Sequence, residues 1–217
     1  MIISLTGQKG GSGKTTTAIC VADELHRRGR RVLLVDTDPQ ATARTWADVA
    51  AELGEDGPTT IGMGTGFADR LESVAASFDD VVIDCPPGES AVQRSALMVA
   101  DVALVPCGPG ATDVWSMAET VDLLRKARAI RPALEVAIML TRVDARTLLA
   151  DQAERLVASL GLPVLDAALG FRVAYQEAPH AGVGPTRYAA GTAADREVRA
   201  LVDELEELTA ATLREVV

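Results

Sequence analysis

The chain has 217 residues, of which 48% are hydrophobic, and it carries a formal net charge of −10. This length suits one α/β domain with a well-buried core, and the acidic balance excludes a wholly basic nucleic-acid coat but not a local basic patch. No apolar run approaches the ~18 residues of a transmembrane helix, and we expect no signal peptide because the N-terminus enters a strand directly. Three irregularly spaced cysteines, Cys20, Cys85 and Cys107, favour a reducing cytoplasm over a disulfide framework.

Apolar runs alternate with amphipathic helical patterns along the whole chain, which predicts βαβ units. The expected fold is α/β, a three-layer sandwich with a mostly parallel, twisted sheet and helices on both faces. In chain order, strands are predicted at residues 2–5, 31–36, 60–61, 81–84, 102–105, 135–140 and 163–165. Helices are predicted at residues 13–25, 40–53, 67–78, 91–100, 112–130, 148–160 and 192–217. No linker or repeat interrupts the pattern, so we expect a single domain over residues 1–217.

A glycine-rich segment, GQKGGSGKTTT at residues 7–17, lies between the first strand and the first helix. Its glycines allow the backbone N–H groups to point inward, and the following helix adds its positive dipole end. Lys14 is the expected charge on the β- and γ-phosphates, and the Thr15 hydroxyl is an expected Mg²⁺ ligand. This is the phosphate-binding loop of a P-loop NTPase. The predicted nucleotide contacts in it are Lys9, Gly10, Gly11, Ser12, Gly13, Lys14, Thr15 and Thr16.

The loop departs from the general pattern G-x-x-x-x-G-K-[ST], because Gln8 stands where the first glycine is expected and Lys9 follows it. The chain has 18 arginines and only three lysines, Lys9, Lys14 and Lys126. Two lysines retained in one loop indicate that a compact ammonium is needed there. The string KGGSGKTT resembles the deviant Walker A motif of the ParA/MinD family of dimeric P-loop ATPases. The resemblance implies that Lys9 reaches the nucleotide of a partner subunit.

Three aspartates directly follow apolar strands: Asp36 and Asp38 in VLLVDTDPQ, and Asp84 in VVIDCPP. Because parallel strands end at the same sheet edge, these carboxylates are expected beside the loop. A single aspartate there is commonly a cap or turn residue, but three beside a P-loop indicate a Mg²⁺-dependent site. Asp84 has the Walker B position and is expected to bind Mg²⁺ directly or through water. The predicted metal ligands are thus Thr15, Asp36 and Asp84, and the predicted cofactors are ATP and Mg²⁺.

Further segments carry the same family resemblance. DTDPQ resembles the second ParA signature, which implies that Asp38 orients the attacking water and that Asp36 supports Mg²⁺ and the loop. DCPPG, residues 84–88, is similar to the switch after Walker B. VPCGPGATDVWS, residues 105–116, resembles a segment near the adenine and the dimer interface, which implies a nucleotide contact at Pro109. The implied activity is ATP hydrolysis to ADP and phosphate, slow alone and stimulated by a partner, with Lys9, Lys14 and Asp38 as catalytic residues.

The implied function is that of the small ParA proteins, since we expect no N-terminal helix-turn-helix domain. In that family an ATP-bound homodimer binds DNA nonspecifically, and a ParB-like or other adaptor on the cargo triggers hydrolysis. The cargo is a plasmid, a chromosome region or a large protein assembly. The protein is then cytoplasmic and nucleoid-associated when ATP is bound. The candidate DNA contacts are Arg172, Arg187, Arg196 and Arg199. The denser cluster at residues 27–31 is interpreted as charges of a helix C-terminus.

A membrane switch like MinD is a competing interpretation of the same motifs. The final helix carries a leucine stripe (Leu201, Leu205, Leu208 and Leu213), but its other face is acidic and would repel anionic lipid. We therefore interpret the stripe as core packing and expect no membrane partner.

P-loop proteins with different chemistry would carry different residues around the loop. A redox ATPase would need a second cluster ligand a few residues beyond Asp84, where Glu89 and Ser90 stand, with Cys107 as the first. Metabolic P-loop ligases and kinases of similar fold do not generally need Lys9. A guanine-reading [NT]KxD motif has its counterpart in residues 141–144, where arginine replaces the lysine. The residues alone do not decide between ATP and GTP; the resemblance to the ParA/MinD family implies ATP.

Overall fold

The computed structural model describes residues 1–88, 90–144 and 155–215. Its strands are β1 (Ile2–Leu5), β2 (Val32–Asp36), β3 (Thr59–Gly62), β4 (Asp80–Asp84), β5 (Val102–Cys107), β6 (Glu135–Val143) and β7 (Leu169–Gly170). Its helices are α1 (Lys14–Arg27), α2 (Thr42–Leu53), α3 (Ala68–Ala75), α4 (Ala91–Val99), α5 (Ala111–Trp115), α6 (Ala118–Ile130), α7 (Ala174–Glu177), a 3₁₀ turn (Ala178–Ala181), α8 (Pro185–Tyr188) and α9 (Ala193–Glu215).

The seven strands form one parallel sheet in the order β3-β2-β4-β1-β5-β6-β7. β1 lies at the centre, and its register pairs Leu5 with Asp84 on one side and with Leu104 on the other. The next pair along, β2 with β4, sets Asp36 beside Asp84. The order therefore gathers the ends of β1, β2 and β4, with the loops that follow them, at one edge of the sheet. The predicted α/β class is confirmed.

Both faces of the sheet are covered. Alternate side chains of the strands, such as Leu34 and Leu104, pack against α1 and α9 in one cluster. Their neighbours Leu33 and Val105 pack into two clusters on the opposite face, which hold α3, α4 and α6. Strands buried on both faces are continuous apolar runs, and this explains why the sequence pattern located them well.

The final helix belongs to the core. Leu201 and Leu205 are fully buried against α1, and Leu208 packs at the edge of the same cluster. Each fully buried leucine stabilises the fold by about 2 kcal/mol, so this face is not available to a bilayer. The interpretation of the leucine stripe as core packing is confirmed for Leu201, Leu205 and Leu208, while the side chain of Leu213 lies outside the described residues.

The arginine cluster between α1 and β2 is structural. Arg28 pairs with the buried Glu24 at 2.9 Å and with Glu206 of α9 at 2.9 Å. Arg30 bridges Glu206, at 3.0 Å, and the buried Asp80. These contacts tie the α1–β2 turn to α9 and agree with the interpretation of these arginines as helix-end charges.

The single helix predicted at residues 112–130 is wrong in one respect, because the structure breaks it into α5 and α6. The Ser116 hydroxyl donates to the Asp113 backbone carbonyl at 2.6 Å, and the Met117 N–H donates to Val114 O at 2.9 Å. A side chain that competes for a helical carbonyl and a tightened i→i−3 bond both interrupt α geometry.

The late part of the chain agrees less well with the sequence pattern. The predicted strand at 163–165 is reduced to one bridge between Ile138 and Val164, and β7 and the short helices between residues 174 and 188 were not predicted. Elements of two to four residues are too short to show periodicity. The predicted helix at 148–160 lies largely outside the described residues.

Candidate nucleotide-binding site

The glycine-rich loop curls between β1 and α1. Gly7, Gly11 and Gly13 have φ of 142°, 72° and 101°, values that a residue with a Cβ rarely adopts. A Cβ on Gly13 would also lie 3.4 Å from the Thr141 side chain of β6. The first turn of α1 contains no acidic residue, so its positive end remains available to an anion.

Gln93 of α4 braces the start of the loop. Its buried amide donates to Gly7 O at 3.1 Å and to Pro86 O at 2.7 Å, and its oxygen accepts from the Thr6 hydroxyl at 3.3 Å. One side chain thus joins the P-loop to the segment after Asp84. Sequence reasoning missed Gln93, although a glutamine within the apolar face of α4 was the available signal.

Two threonines hold the rest of the loop. The Thr120 hydroxyl of α6 accepts from Gln8 N at 3.2 Å, and the Thr141 hydroxyl of β6 donates to Ser12 O at 2.8 Å. Both threonines are buried. Their distance from the loop in sequence explains why no local pattern identified them.

Lys14 lies under the loop, and its contact with the phosphates stays a prediction. Its ammonium is buried and donates to Lys9 O at 3.0 Å. Burial lowers the pKa of Lys14, whereas the nearby carboxylate of Asp84 opposes this shift. The carboxylate therefore favours the charged ammonium that a phosphate needs.

The two strand-end aspartates Asp36 and Asp84 differ in their contacts. Asp36 accepts from the N–H groups of Asp38 and Arg44, each at 3.0 Å, so its carboxylate shapes the loop that carries Asp38. These contacts lie in the segment after β2. Support of the P-loop and of Mg²⁺ by Asp36 stays a prediction.

Asp84 is the better fit to a metal ion. Both of its carboxylate oxygens are buried, and neither has a hydrogen-bond partner among the described residues. The pKa of Asp84 is raised to about 7, chiefly by burial and in part by the neighbouring Asp36, while Thr15 and Lys14 act in the opposite direction. A divalent cation beside Thr15 and Asp84 would supply the missing partner. Among the described residues no three His, Cys, Asp or Glu side chains form a protein-only metal site.

A cavity of about 370 Å³ adjoins the loop and has a volume appropriate to a small-molecule ligand. Asp38 and Pro87 lie on its walls together with the P-loop residues. The opposite wall comes from the late elements: Thr141, Arg142, Leu169, Gly170, Phe171, Arg172, Tyr175 and Gln176. Sequence reasoning missed this wall. Among the described residues Pro109 is not part of the lining, so its predicted nucleotide contact has no support from the cavity.

Lys9 lies at the rim of the site. Its ammonium pairs with Asp113 Oδ1 of α5 at 2.9 Å, and the side chain is 36% exposed. Within the described part of the chain, Lys9 is not among the residues that line the cavity. Lys9 is thus directed to a neighbouring acid, whereas Lys14 lies in the phosphate site of the same subunit.

Three of the four candidate DNA-binding arginines are paired with acidic side chains. Arg172 pairs with Glu197, Arg199 with Asp195, and Arg187 with Glu55 at 2.5 Å. Arg196 donates to Gly191 O at 3.0 Å. Arg172 also lines the nucleotide cavity. Their contact with DNA stays a prediction.

The cysteines are buried thiols. Burial raises the pKa of Cys85 to about 12 and that of Cys107 to about 11, and it raises that of Cys20 as well. These environments disfavour the thiolate that an iron–sulfur cluster requires. The interpretation as a redox ATPase therefore receives no support from them.

Replacing Asp84 with asparagine is expected to stabilise the nucleotide-free protein more at pH 8 than at pH 5. The folded-state pKa of about 7 exceeds the ordinary value of 3.8. Between these two pH values the folded state binds more protons than the unfolded state, so the protein loses stability as the pH rises from 3.8 to about 7. Asparagine removes this dependence. Thermal denaturation without Mg²⁺ measures it, with the exposed Asp69→Asn as control; an equal gain at both pH values would contradict the raised pKa.

A family model, the CobQ/CobB/MinD/ParA nucleotide binding domain, matches residues 3–186. The chain belongs to this family. The carboxysome distribution protein A (maintenance of carboxysome distribution) of Halothiobacillus neapolitanus is 30% identical over 206 residues, which covers 94% of this chain and 95% of that protein. The chromosome-partitioning ATPase Soj of Thermus thermophilus is 32% identical over 234 residues and covers 94% of each chain.

Solved structures show the same fold. MinD of Pyrococcus horikoshii, determined with Mg-ADP, matches with a TM-score of 0.75 at 20% identity over 97% of this chain and 98% of that one. The predicted resemblance to ParA/MinD proteins and the P-loop NTPase fold are thus confirmed, and the chain is a small ParA/MinD-type protein. In the described parts of the chain, no helix combines the length and apolarity needed to cross a membrane.

Proposed function

We propose that this ParA/MinD-type protein is an ATPase that dimerises on ATP and positions a large cargo. The observation that carries the proposal is the placement of the two loop lysines. Lys14 is buried within the site, whereas Lys9, at the rim, is paired with Asp113. A site with its own phosphate lysine and a second lysine directed elsewhere is suited to completion by another copy of the chain.

Each group of residues has a separate role in hydrolysis. The loop amides and Lys14 bind the phosphates and stabilise charge on the γ-phosphate. Thr15 and Asp84 would hold Mg²⁺, which neutralises phosphate charge when bound. Asp38, on the cavity wall, orients the attacking water. Lys9 of a second subunit adds the last positive charge, so hydrolysis is slow until two chains meet and an adaptor stimulates it.

The names of two relatives support the proposed kind of cargo. One is named for carboxysome distribution and another for chromosome partitioning, and both names refer to the placement of large assemblies. We propose the same task here, in the cytoplasm, with nonspecific DNA as the track and a ParB-like or other adaptor on a plasmid, chromosome region or protein assembly. ATP is the proposed nucleotide, which competition with GTP would test.

Sedimentation with ATP, with ADP and without nucleotide tests this proposal. Of the three conditions, only ATP is expected to give a dimer. Cosedimentation with nonspecific DNA is expected in the same condition, and it should weaken as the salt concentration rises from about 50 to about 200 mM. Arg196→Ala should reduce DNA binding, whereas Arg31→Ala, before β2 at the opposite sheet edge, should not. Equal DNA binding in all three nucleotide conditions, or none, would refute the DNA-dependent function.

A further inference from the structure

Three charged side chains form a small cluster beside the P-loop. Asp113 Oδ1 is 2.9 Å from the Lys9 ammonium and 3.4 Å from Arg142 Nη2. Lys9 and Arg142 thus share one carboxylate oxygen. The cluster joins the loop, α5 and the end of β6, which are far apart in sequence.

Asp113 is the fixed member of this cluster. Its other oxygen, Oδ2, accepts from Gly110 N at 3.2 Å, and its side chain is only 15% exposed. The Lys9 and Arg142 side chains are 36% and 45% exposed. A long, exposed side chain leaves an ion pair more readily than a short, hydrogen-bonded one, so Lys9 is the partner that can move.

Arg142 makes that movement easier. It has φ of 56°, an uncommon value for a residue other than glycine, at a register shift in β6. Its guanidinium lies 3.4 Å from Asp113 Oδ1. When Lys9 leaves, Asp113 retains a cationic partner and is not left as an unpaired, half-buried carboxylate.

We propose that Asp113 is a positioning residue for Lys9. It holds the lysine ammonium on its own subunit and neutralises its charge, which weakens its attraction to the phosphates of a second subunit. ATP bound to that subunit then competes with Asp113 for Lys9. The inference rests on the proposed ATP-dependent dimer and assigns the control of its assembly to one carboxylate.

Asp113→Asn tests the proposal, because asparagine can still accept from Gly110 N but cannot neutralise Lys9. The ATP-dependent dimer should form at about two- to fivefold lower protein concentration, the range expected for the loss of one ion pair at the protein surface. Basal ATP hydrolysis at limiting protein concentration should rise to a similar extent, and the difference from wild type should shrink at high salt. Asp122→Asn is the matched control, since Asp122 pairs with Lys126 at 2.5 Å on α6.

The Lys9→Ala variant distinguishes the proposed positioning role of Asp113 from a role in folding alone. In a Lys9→Ala background, Asp113→Asn should give no gain in dimer formation, while ADP affinity and melting temperature stay close to those of Lys9→Ala. If wild type dimerises with ATP and Asp113→Asn matches it or dimerises less well, the positioning role is refuted and the proposed function stands. If wild type stays monomeric with ATP, the proposed function fails, and with it the role of Asp113.

Discussion

Lys9→Ala is expected to lower ATP hydrolysis by at least about a hundredfold, the effect of removing one charge-stabilising donor from a transition state. Binding of ADP by the single subunit should persist, because Lys14, the loop amides and Asp84 remain in place. The measurement is phosphate release as a function of protein concentration. It should rise more steeply than linearly for wild type and remain near background for the variant.

Lys126→Ala is the matched control for this prediction. Lys126 is the third lysine of the chain and lies outside the P-loop, on the exposed side of α6. Its replacement should leave hydrolysis unchanged. Lys9→Arg should also be impaired, since the larger, planar guanidinium does not reproduce the compact point charge of an ammonium. Full hydrolysis by Lys9→Ala, or by a sample held strictly monomeric, would contradict the two-subunit site.

Asp38→Asn is expected to slow hydrolysis by about two to four orders of magnitude while ATP binding and ATP-dependent dimerisation persist. Asp38 lines the cavity, and its Oδ1 accepts from Gln40 N at 2.9 Å. Asparagine keeps that hydrogen bond but removes the charge that orients and polarises water. The variant should therefore accumulate as a dimer that retains its ATP.

Single-turnover hydrolysis and the lifetime of the ATP-bound dimer measure this effect separately. Asp48→Asn, a change on α2 away from the cavity lining, serves as the control and should behave as wild type. If Asp38→Asn lost ATP binding to the same degree as hydrolysis, Asp38 would be a ligand-binding residue and its proposed role in catalysis would be wrong.

The amino-acid sequence by itself determined the chemistry of the loop and the class of the fold. The glycines, Lys14 and Thr15 form a contiguous motif, and Asp36 and Asp84 follow apolar runs that are typical of buried strands. Lys9 was conspicuous because the chain contains so few lysines. These signals are local, so they are readable before any tertiary contact is known.

Only the tertiary structure decided what surrounds the loop. Hydrogen bonds from Gln93, Thr120 and Thr141 hold the loop from three different elements. Much of the far wall of the cavity comes from residues in and just after β7, a strand of two residues. The partner of Lys9, Asp113, lies about a hundred residues away, next to a helix break made by a single hydroxyl. Such contacts depend on the order of the strands in the sheet, and that order comes from packing both faces of the sheet, which no local pattern records.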